Sequence, residues 1–203
     1  MIHFDPVPEP HDFDERCRIR GQAWLEAHPQ AERPRDFWTP FKSQLADGFG
    51  QLCAYSAMYE PVGTVDHFLS YKNRPDLTYE WSNYRFAAGW LNSSKRTVDG
   101  DILDPFEVGE DWFEVLLPSL QLVVSDSVPE EKREIAEYTV KRLHLRDDER
   151  VIRQRRAWYQ LYQRNGDLDC LRQFAPLIAR AVEKQARKTE AHSERETVDA
   201  QND

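Results

Sequence analysis

Cysteine is scarce in this 203-residue chain, and the three that occur, Cys17, Cys53 and Cys170, are far apart. So few and so scattered thiols do not form the disulfide framework of a secreted domain. No apolar run approaches the roughly 20 residues that a membrane span requires. The acidic N-terminal segment, MIHFDPVPEPHDFDE, also lacks the apolar stretch of a secretory signal. We therefore expect a cytoplasmic protein with reduced thiols and no membrane association.

Positive charge is also in short supply, since 27 Lys and Arg residues stand against 36 Asp and Glu residues, giving a net charge of −9. An excess of acid weighs against a nucleic-acid binder, because phosphate contacts dominate that affinity. The basic residues are unevenly placed, however, and seven of them lie between Lys141 and Arg156, which allows a locally basic face. Hydrophobic residues make up 40% and aromatic residues 12%, enough for a folded core.

Four regions follow from the pattern along the chain. Residues 1–50 predict an extended, proline-punctuated arm and helices, and residues 51–110 a small mixed centre. Residues 111–188 predict a helical region, and residues 189–203 a disordered polar tail. The expected fold class is α+β, with a small β-containing centre flanked by N-terminal helices and a C-terminal helical bundle.

Within the centre, residues 51–58 (QLCAYSAM) and 62–68 (VGTVDHF) are apolar and β-prone, and we expect them to pair as two short strands. After a polar loop, a short helix is predicted from about Trp81 to Leu91. Residues 117–126 (LPSLQLVVSD) predict a further strand.

Residues 65–97, VDHFLSYKNRPDLTYEWSNYRFAAGWLNSSKRT, contain an acid, an imidazole and two carboxamides at Asp66, His67, Asn83 and Asn92. A carboxylate that binds a divalent ion beside an imidazole that removes a proton from water is a common hydrolytic pairing. An amide oxygen is a second hard ligand for Mg²⁺. Adjacent strand residues point to opposite faces, so Asp66 and His67 serve one site only if the backbone twists there. Either Asn also has an ordinary structural interpretation, as a residue that begins or ends a helix.

The order Asp-His, Asn, Asn resembles the HNH endonuclease motif, the ββα-metal fold, in its variant with Asn at the final position. In that family a strand carries the Asp-His pair, a loop carries the middle Asn, and a helix carries the last residue. The resemblance implies that Asp66 and Asn92 hold Mg²⁺ or Mn²⁺ and that His67 is the general base. It also implies that Asn83 braces the loop or the base.

The match extends to CAYS, VDHF, YEWSNY, LNSSKR and ILDP, and it covers roughly residues 1–110. These motifs are similar to an HNH branch that reads Cys-x-Tyr-Cys, Ile-Asp-His-Phe, Trp-x-Asn, Cys-x-x-Cys-Asn-x-x-Lys and Leu-Asp-Pro. The branch includes the HNH partners of retron-linked and Septu-type anti-phage systems, which work beside an ABC-type ATPase. The resemblance therefore implies a metal-dependent endonuclease acting on DNA, with RNA left open, and an ATPase partner protein.

One departure concerns the two Cys-x-x-Cys pairs, which form a structural zinc knuckle in the branch. Here they fall on Cys53 and Ser56 and on Ala88 and Leu91. One cysteine of four does not hold tetrahedral zinc. We therefore expect no structural zinc, with Ala88 and Leu91 turned inward so that apolar packing takes the place of the metal.

Basic residues around the motif are candidates for nucleic-acid contacts, namely Lys72 and Arg74 in the loop and Lys95 and Arg96 after the last Asn. A solvated loop or helix end explains them about as well. An alternative function also stands, a binding or regulatory subunit on an HNH scaffold whose catalysis has weakened. The lost zinc cysteines and the negative net charge favour that alternative.

Overall fold

The computed structural model describes residues 1–199, and side chains as far as residue 191, as an α+β structure, which confirms the predicted fold class. The strands are β1 (Thr64–His67), β2 (Tyr84–Ala87), β3 (Phe113–Leu116) and β4 (Gln121–Val124). The α-helices are α1 (Ile19–Ala27), α2 (Lys42–Gly48), α3 (Gly89–Lys95), α4 (Glu130–Arg142), α5 (Glu149–Asn165), α6 (Leu168–Phe174) and α7 (Pro176–Asp199). A π-helical turn (Asp14–Arg18) leads into α1, and short 3₁₀ turns occur at Thr39–Phe41, Pro75–Leu77 and Trp81–Asn83. None of the helices in the described residues is both long and apolar enough to cross a membrane.

The central sheet pairs β1 with β2, not with the preceding apolar segment, so the predicted pairing of residues 51–58 with 62–68 is wrong. Residues 51–58 form turns instead, with an isolated antiparallel β-bridge between Leu52 and Tyr59. Within that segment Ala57 has a φ of 53°, and its N–H bonds back to the carbonyl of Cys53, which closes a turn and prevents an extended strand.

The helix predicted from Trp81 to Leu91 is also wrong in its boundaries. A single 3₁₀ turn ends at Asn83, residues 84–87 form the fully buried strand β2, and α3 begins only at Gly89. The sequence Tyr-Arg-Phe-Ala suits a strand buried on both faces, which local periodicity does not distinguish from a buried helix. Ala88 is the single residue between β2 and α3, so the helix lies directly against the sheet.

An aromatic cluster supports the central sheet from the N-terminal side. The ring of Phe13 packs edge-on against Phe41 at 5.0 Å, Trp81 at 5.1 Å and Tyr84 at 5.8 Å between ring centroids. Such edge-to-face pairs add to the stabilisation from burial. The predicted N-terminal helices are present, and their side chains pack on one face of β1 and β2.

The C-terminal region is helical as predicted, and it also contains the hairpin β3–β4, packed against α4 and α7. The predicted strand within residues 117–126 corresponds to β4. Helix α7 continues to Asp199, so residues 189–199 are helical where the sequence predicts a disordered tail. The rest of that predicted tail, residues 200–203, lies outside the described residues.

A buried arginine joins the hairpin β3–β4 to the helices. Arg155 of α5 is 1% exposed, and its guanidinium donates to the carbonyls of Leu120 at 2.9 Å, Leu145 at 2.8 Å and Arg146 at 3.1 Å. Burial lowers the pKa of Arg155 to about 10, which still leaves the group charged at neutral pH. The cation is thus solvated by backbone carbonyls of two separate segments.

Replacing Arg155 with Met should lower the free energy of unfolding by about 2–4 kcal/mol, because buried carbonyls lose their donors. Arg156→Met is the matched control, since Arg156 is exposed on the same helix and should change stability by less than about 0.5 kcal/mol. Urea unfolding followed by circular dichroism measures both variants. Equal stability of the two variants would contradict this role for Arg155.

Candidate active site

Asp66 and His67 from β1 and Asn92 from α3 line one cleft, whose volume is about 520 Å³. The helix is held in place by the Asn92 side chain itself. Its amide nitrogen donates to Thr64 Oγ1 at 3.2 Å and to the Val65 carbonyl at 3.3 Å. The structure therefore brings together the three residues that the sequence assigns to metal binding and proton transfer.

The His67 imidazole is held neutral and in one tautomer. Its Nε2 lies 2.8 Å from the carbonyl oxygen of Thr78, which only accepts hydrogen bonds, so Nε2 carries the proton and Nδ1 is left as the basic nitrogen. Burial is the main cause that lowers the pKa of His67 to about 4; the positive charge of Lys95 acts in the same direction, and the Thr78 bond and Asp36 oppose the shift. The ring also packs edge-on against Trp38, with centroids 4.7 Å apart.

Asp66 is the centre of a buried polar cluster and is 2% exposed. Tyr55 donates its hydroxyl hydrogen to Asp66 Oδ2, and Lys95 Nζ lies 3.3 Å from Oδ1. The same ammonium donates to the His67 carbonyl at 2.7 Å. Burial raises the pKa of the Asp66 carboxyl, and the charge of Lys95 and the bond from Tyr55 act in the opposite direction.

Lys95 departs from its predicted role. The sequence makes it a candidate for nucleic-acid contact, but its side chain is 0% exposed and pairs with Asp66 inside the protein. The reason is that the last turn of α3 lies close enough to β1 for the ammonium to reach Asp66 and the His67 carbonyl. Sequence reasoning also missed Tyr55, although the residue stands in the CAYS motif that carries the family resemblance.

Asn83 braces the loop between β1 and β2. Its Oδ1 accepts from the Leu69 N–H at 2.8 Å, and its Nδ2 donates to the carbonyls of Leu69 at 2.9 Å and Leu77 at 3.2 Å. Of the two supports that the resemblance implies, the loop or the base, these contacts are with the loop. The Asn83 side chain thereby links the first part of the loop, at Leu69, and its later part, at Leu77, to the start of β2.

The rim of the cleft is basic. Exposed Lys72 and Arg96 line it as the sequence suggests, and so does Arg33 from the segment between α1 and α2, which the sequence did not indicate. In the part of the chain that the structure describes, none of these three cations is paired with a carboxylate. Arg74, by contrast, is outside the cleft lining and forms an exposed ion pair with Asp76 at 2.6 Å.

A second buried ion pair supports the strand beside the site. Arg85, opposite Asp66 in the β1–β2 register, donates through Nε to Asp104 Oδ1 at 2.8 Å and through Nη1 to the Ser82 carbonyl at 2.8 Å. Its guanidinium carbon lies 3.6 Å from the centroid of the Phe106 ring. The Leu-Asp-Pro motif, which contains Asp104, therefore fastens β2 to the chain after α3.

The four positions of the zinc knuckle in the resembled branch are all buried here. Cys53, Ala88 and Leu91 belong to one hydrophobic core cluster, with exposures of 1%, 3% and 0%. The Ala88 N–H lies 3.3 Å from Cys53 Sγ, and Ser56 is 4% exposed. Apolar side chains thus fill two of the three positions at which this chain lacks a cysteine, and the small polar Ser56 fills the third.

The donor set is chemically suited to a hard divalent cation. Asp66 has carboxylate lone pairs beyond those engaged by Tyr55 and Lys95, and Asn92 Oδ1 accepts no hydrogen bond from the described part of the chain. Among those residues no group of three His, Cys, Asp or Glu side chains is placed to hold a metal, so water and substrate oxygens would complete the shell, as Mg²⁺ permits. The Lys95 charge opposes such binding.

No protein-family model matches this chain, and neither does any curated protein. The assignment of the site therefore depends on its geometry and on the motif resemblance.

Replacing Lys95 with Met should lower the free energy of unfolding by about 3–5 kcal/mol, because it leaves the buried Asp66 without its counter-charge. Adding Asp66→Asn to that variant should restore part of the loss, since the remaining side chain is neutral. Chemical denaturation of the wild type, both single variants and the double variant measures the coupling. Simple additivity of the two losses would contradict the ion pair.

The low pKa of His67 makes stability depend on pH. Between pH 6.5 and about 4 the unfolded chain binds a proton at this ring that the folded chain does not, so stability is complete above pH 6.5 and falls as the pH drops through that window. The slope should reach about 1.4 kcal/mol per pH unit for this group.

His67→Gln keeps an N–H for the Thr78 carbonyl but removes the titration, so its unfolding free energy should depend less on pH between 6.5 and 4. Urea unfolding of both proteins across this range measures the difference. Parallel pH curves for the two proteins would show that His67 titrates normally in the folded state.

Proposed function

We propose that this chain is a metal-dependent endonuclease of the HNH type that hydrolyses phosphodiester bonds in DNA. The observation that carries the proposal is the shared cleft in which a neutral imidazole, a carboxylate and a carboxamide lie inside a basic rim. The order of elements supports it as well. Strand β1 carries Asp66 and His67, Asn83 precedes β2, and Asn92 stands on the helix that follows.

His67 is suited to act as the general base. Its Nε2 is committed to the Thr78 carbonyl, so a water molecule in the cleft would lose its proton to Nδ1. Because the pKa of the ring is about 4, the imidazole is already unprotonated at neutral pH and is free to accept a proton. Asn83, by fixing the loop, keeps the Thr78 carbonyl and the ring in register.

The Asp66 carboxylate and the Asn92 amide oxygen are the groups that would hold Mg²⁺ or Mn²⁺. When bound, the cation would supply Lewis-acid stabilisation of the charge that develops on the phosphate and on the leaving oxygen. Tyr55 and Lys95 position the carboxylate from the interior side. One such ion would favour cleavage of one strand at a time, that is, nicking.

Substrate charge is matched by the rim of the cleft. Arg33, Lys72 and Arg96 are exposed around the site of a protein whose net charge is −9, so the cleft attracts phosphate locally. Arg96 stands at the C-terminal end of α3, where its φ of 54° ends the helix and places the residue on the rim.

The biological setting that we propose is an effector in bacterial anti-phage defence, acting with an ABC-type ATPase partner. The motif resemblance supports this setting. An acidic nuclease with a small basic cleft also fits a partner that delivers nucleic acid to it.

The second candidate is a binding or regulatory subunit with weakened catalysis. It is favoured by the pairing of Asp66 with Lys95, which supplies from within the protein the positive charge that a metal would otherwise provide. Metal binding separates the two candidates. Mn²⁺ binding that Asp66→Asn abolishes supports the enzyme, and absence of any such binding supports the regulatory subunit.

Purified protein should convert supercoiled plasmid to the open-circular form in Mg²⁺ or Mn²⁺, and His67→Gln should reduce the rate at least 100-fold because the base is lost. His11→Gln, an exposed histidine outside the cleft, should nick at the wild-type rate. Gel quantification with and without EDTA measures the reaction. Unchanged nicking by His67→Gln in a folded sample would remove the proposed base.

A further inference from the structure

A second hollow adjoins the cleft and has a volume of about 980 Å³. It lies between the segment that links α1 to α2 and the loop between β1 and β2. The two cavities share Arg33, Tyr71 and Lys72 in their linings, so they meet at these side chains. The size is within the range of cavities that bind small organic groups.

The wall of this hollow is partly apolar and contains the ring of Tyr71. Leu25, Pro29, Pro34 and Pro75 supply apolar surface. Tyr71 is half-buried, and its ring is nearly perpendicular to that of His67, with centroids 5.6 Å apart at 85°, so the two rings are not stacked on each other. Within the described residues the Tyr71 hydroxyl makes no hydrogen bond and the ring makes no other aromatic contact.

The walls are fixed by hydrogen bonds before any ligand arrives. His28, at the end of α1, stacks on Trp24 with centroids 4.5 Å apart, and its Nδ1 lies 2.9 Å from the Trp24 carbonyl. On the opposite wall, Asn83 holds the loop, and the Lys72 N–H bonds to Ser70 Oγ at 3.2 Å. Such a hollow receives a ligand with little ordering of its own walls.

We propose that this hollow binds one unpaired nucleotide of the substrate strand, next to the bond that is cleaved. The base stacks on Tyr71, and its phosphate lies between Arg33 and Lys72, the two cations at the junction with the cleft that pair with no carboxylate of the described residues. Glu32, the acidic residue in the lining, is placed to accept a hydrogen bond from an exocyclic amino group.

The proposal deepens the nuclease function and rests on it. A base inside a duplex is stacked on its neighbours and does not present a free face to a tyrosine, so the site selects an unpaired strand. An aromatic ring beside unpaired cations is the combination that proteins use to bind single strands without sequence readout. The preferred substrate would therefore be single-stranded or locally unpaired DNA.

The test is fluorescence anisotropy with a labelled single-stranded oligonucleotide and its duplex, in EDTA so that binding is separated from cleavage. Wild type should bind the single strand more tightly than the duplex. Tyr71→Leu should weaken single-strand binding about tenfold, the usual effect of losing one stacking partner, and should leave duplex binding within twofold. Tyr71→Phe should bind like wild type, because the hydroxyl has no partner in the described chain.

Two further variants test whether the effect is specific to this hollow. Tyr138→Leu, on α4 and 40% exposed, is the matched control and should not alter binding. Arg33→Gln, on the exposed α1–α2 segment, should weaken single-strand binding and reduce the slope of log affinity against log salt by about one.

Single-strand binding that is unaffected by Tyr71→Leu, or equal losses on single strand and duplex, would overturn the subsite and leave the nuclease proposal standing. Absence of binding to either DNA by the wild type would also overturn the subsite. Metal-dependent nicking, assayed separately on plasmid, distinguishes a failed subsite from a failed nuclease assignment.

Discussion

The buried carboxylate of Asp66, held between a phenol and an ammonium group, is the interaction on which the centre of this molecule depends. Taking a carboxylate and an ammonium out of water is costly, and the cost is offset only when both find partners. Tyr55, from the turn segment before β1, and Lys95, from the last turn of α3, meet that requirement. Three segments that are distant in sequence are thereby joined at one point.

The charged side chains around Asp66 are of two kinds, buried pairs and exposed cations. Arg85 pairs with Asp104 inside the protein, whereas the cations of the cleft rim remain unpaired among the described residues. The two internal cations beside the site, Lys95 and Arg85, are thus neutralised by acids, whereas the rim presents exposed basic side chains on a protein that is acidic as a whole. The rim therefore supplies local attraction for phosphate at the place where the proposed base lies.

The sequence predicts which residues share the cleft better than it predicts their local structure. The apolar, β-prone run VGTVDHF predicts β1, and the motif order predicts that Asp66, His67 and Asn92 meet, although their spacing alone does not. The pairing of β1 was mispredicted because residues 51–58 satisfy a hairpin pattern locally, while the actual partner, β2, follows a long loop. Pairing over such a distance is decided by burial, which local patterns do not contain.

The remaining errors have the same origin. The side chain of Lys95 was expected in solvent because charged residues are almost never fully buried unless they are paired, and its partner Asp66 lies 29 residues earlier. Arg33 joins the cleft from a segment with no motif at all. In both cases the missing information is the tertiary approach of α3 and of the α1–α2 link to the sheet.

Because Ala88 alone connects β2 to α3, the register of the β1–β2 pair also determines where α3 lies. Successive side chains of β2 alternate between faces, so a slip by one residue would turn Arg85 away from its partner and would displace the helix that carries both Asn92 and Lys95. An insertion or deletion should consequently disturb the structure far less in the outer part of the β1–β2 loop than at that junction, where a single residue joins strand to helix.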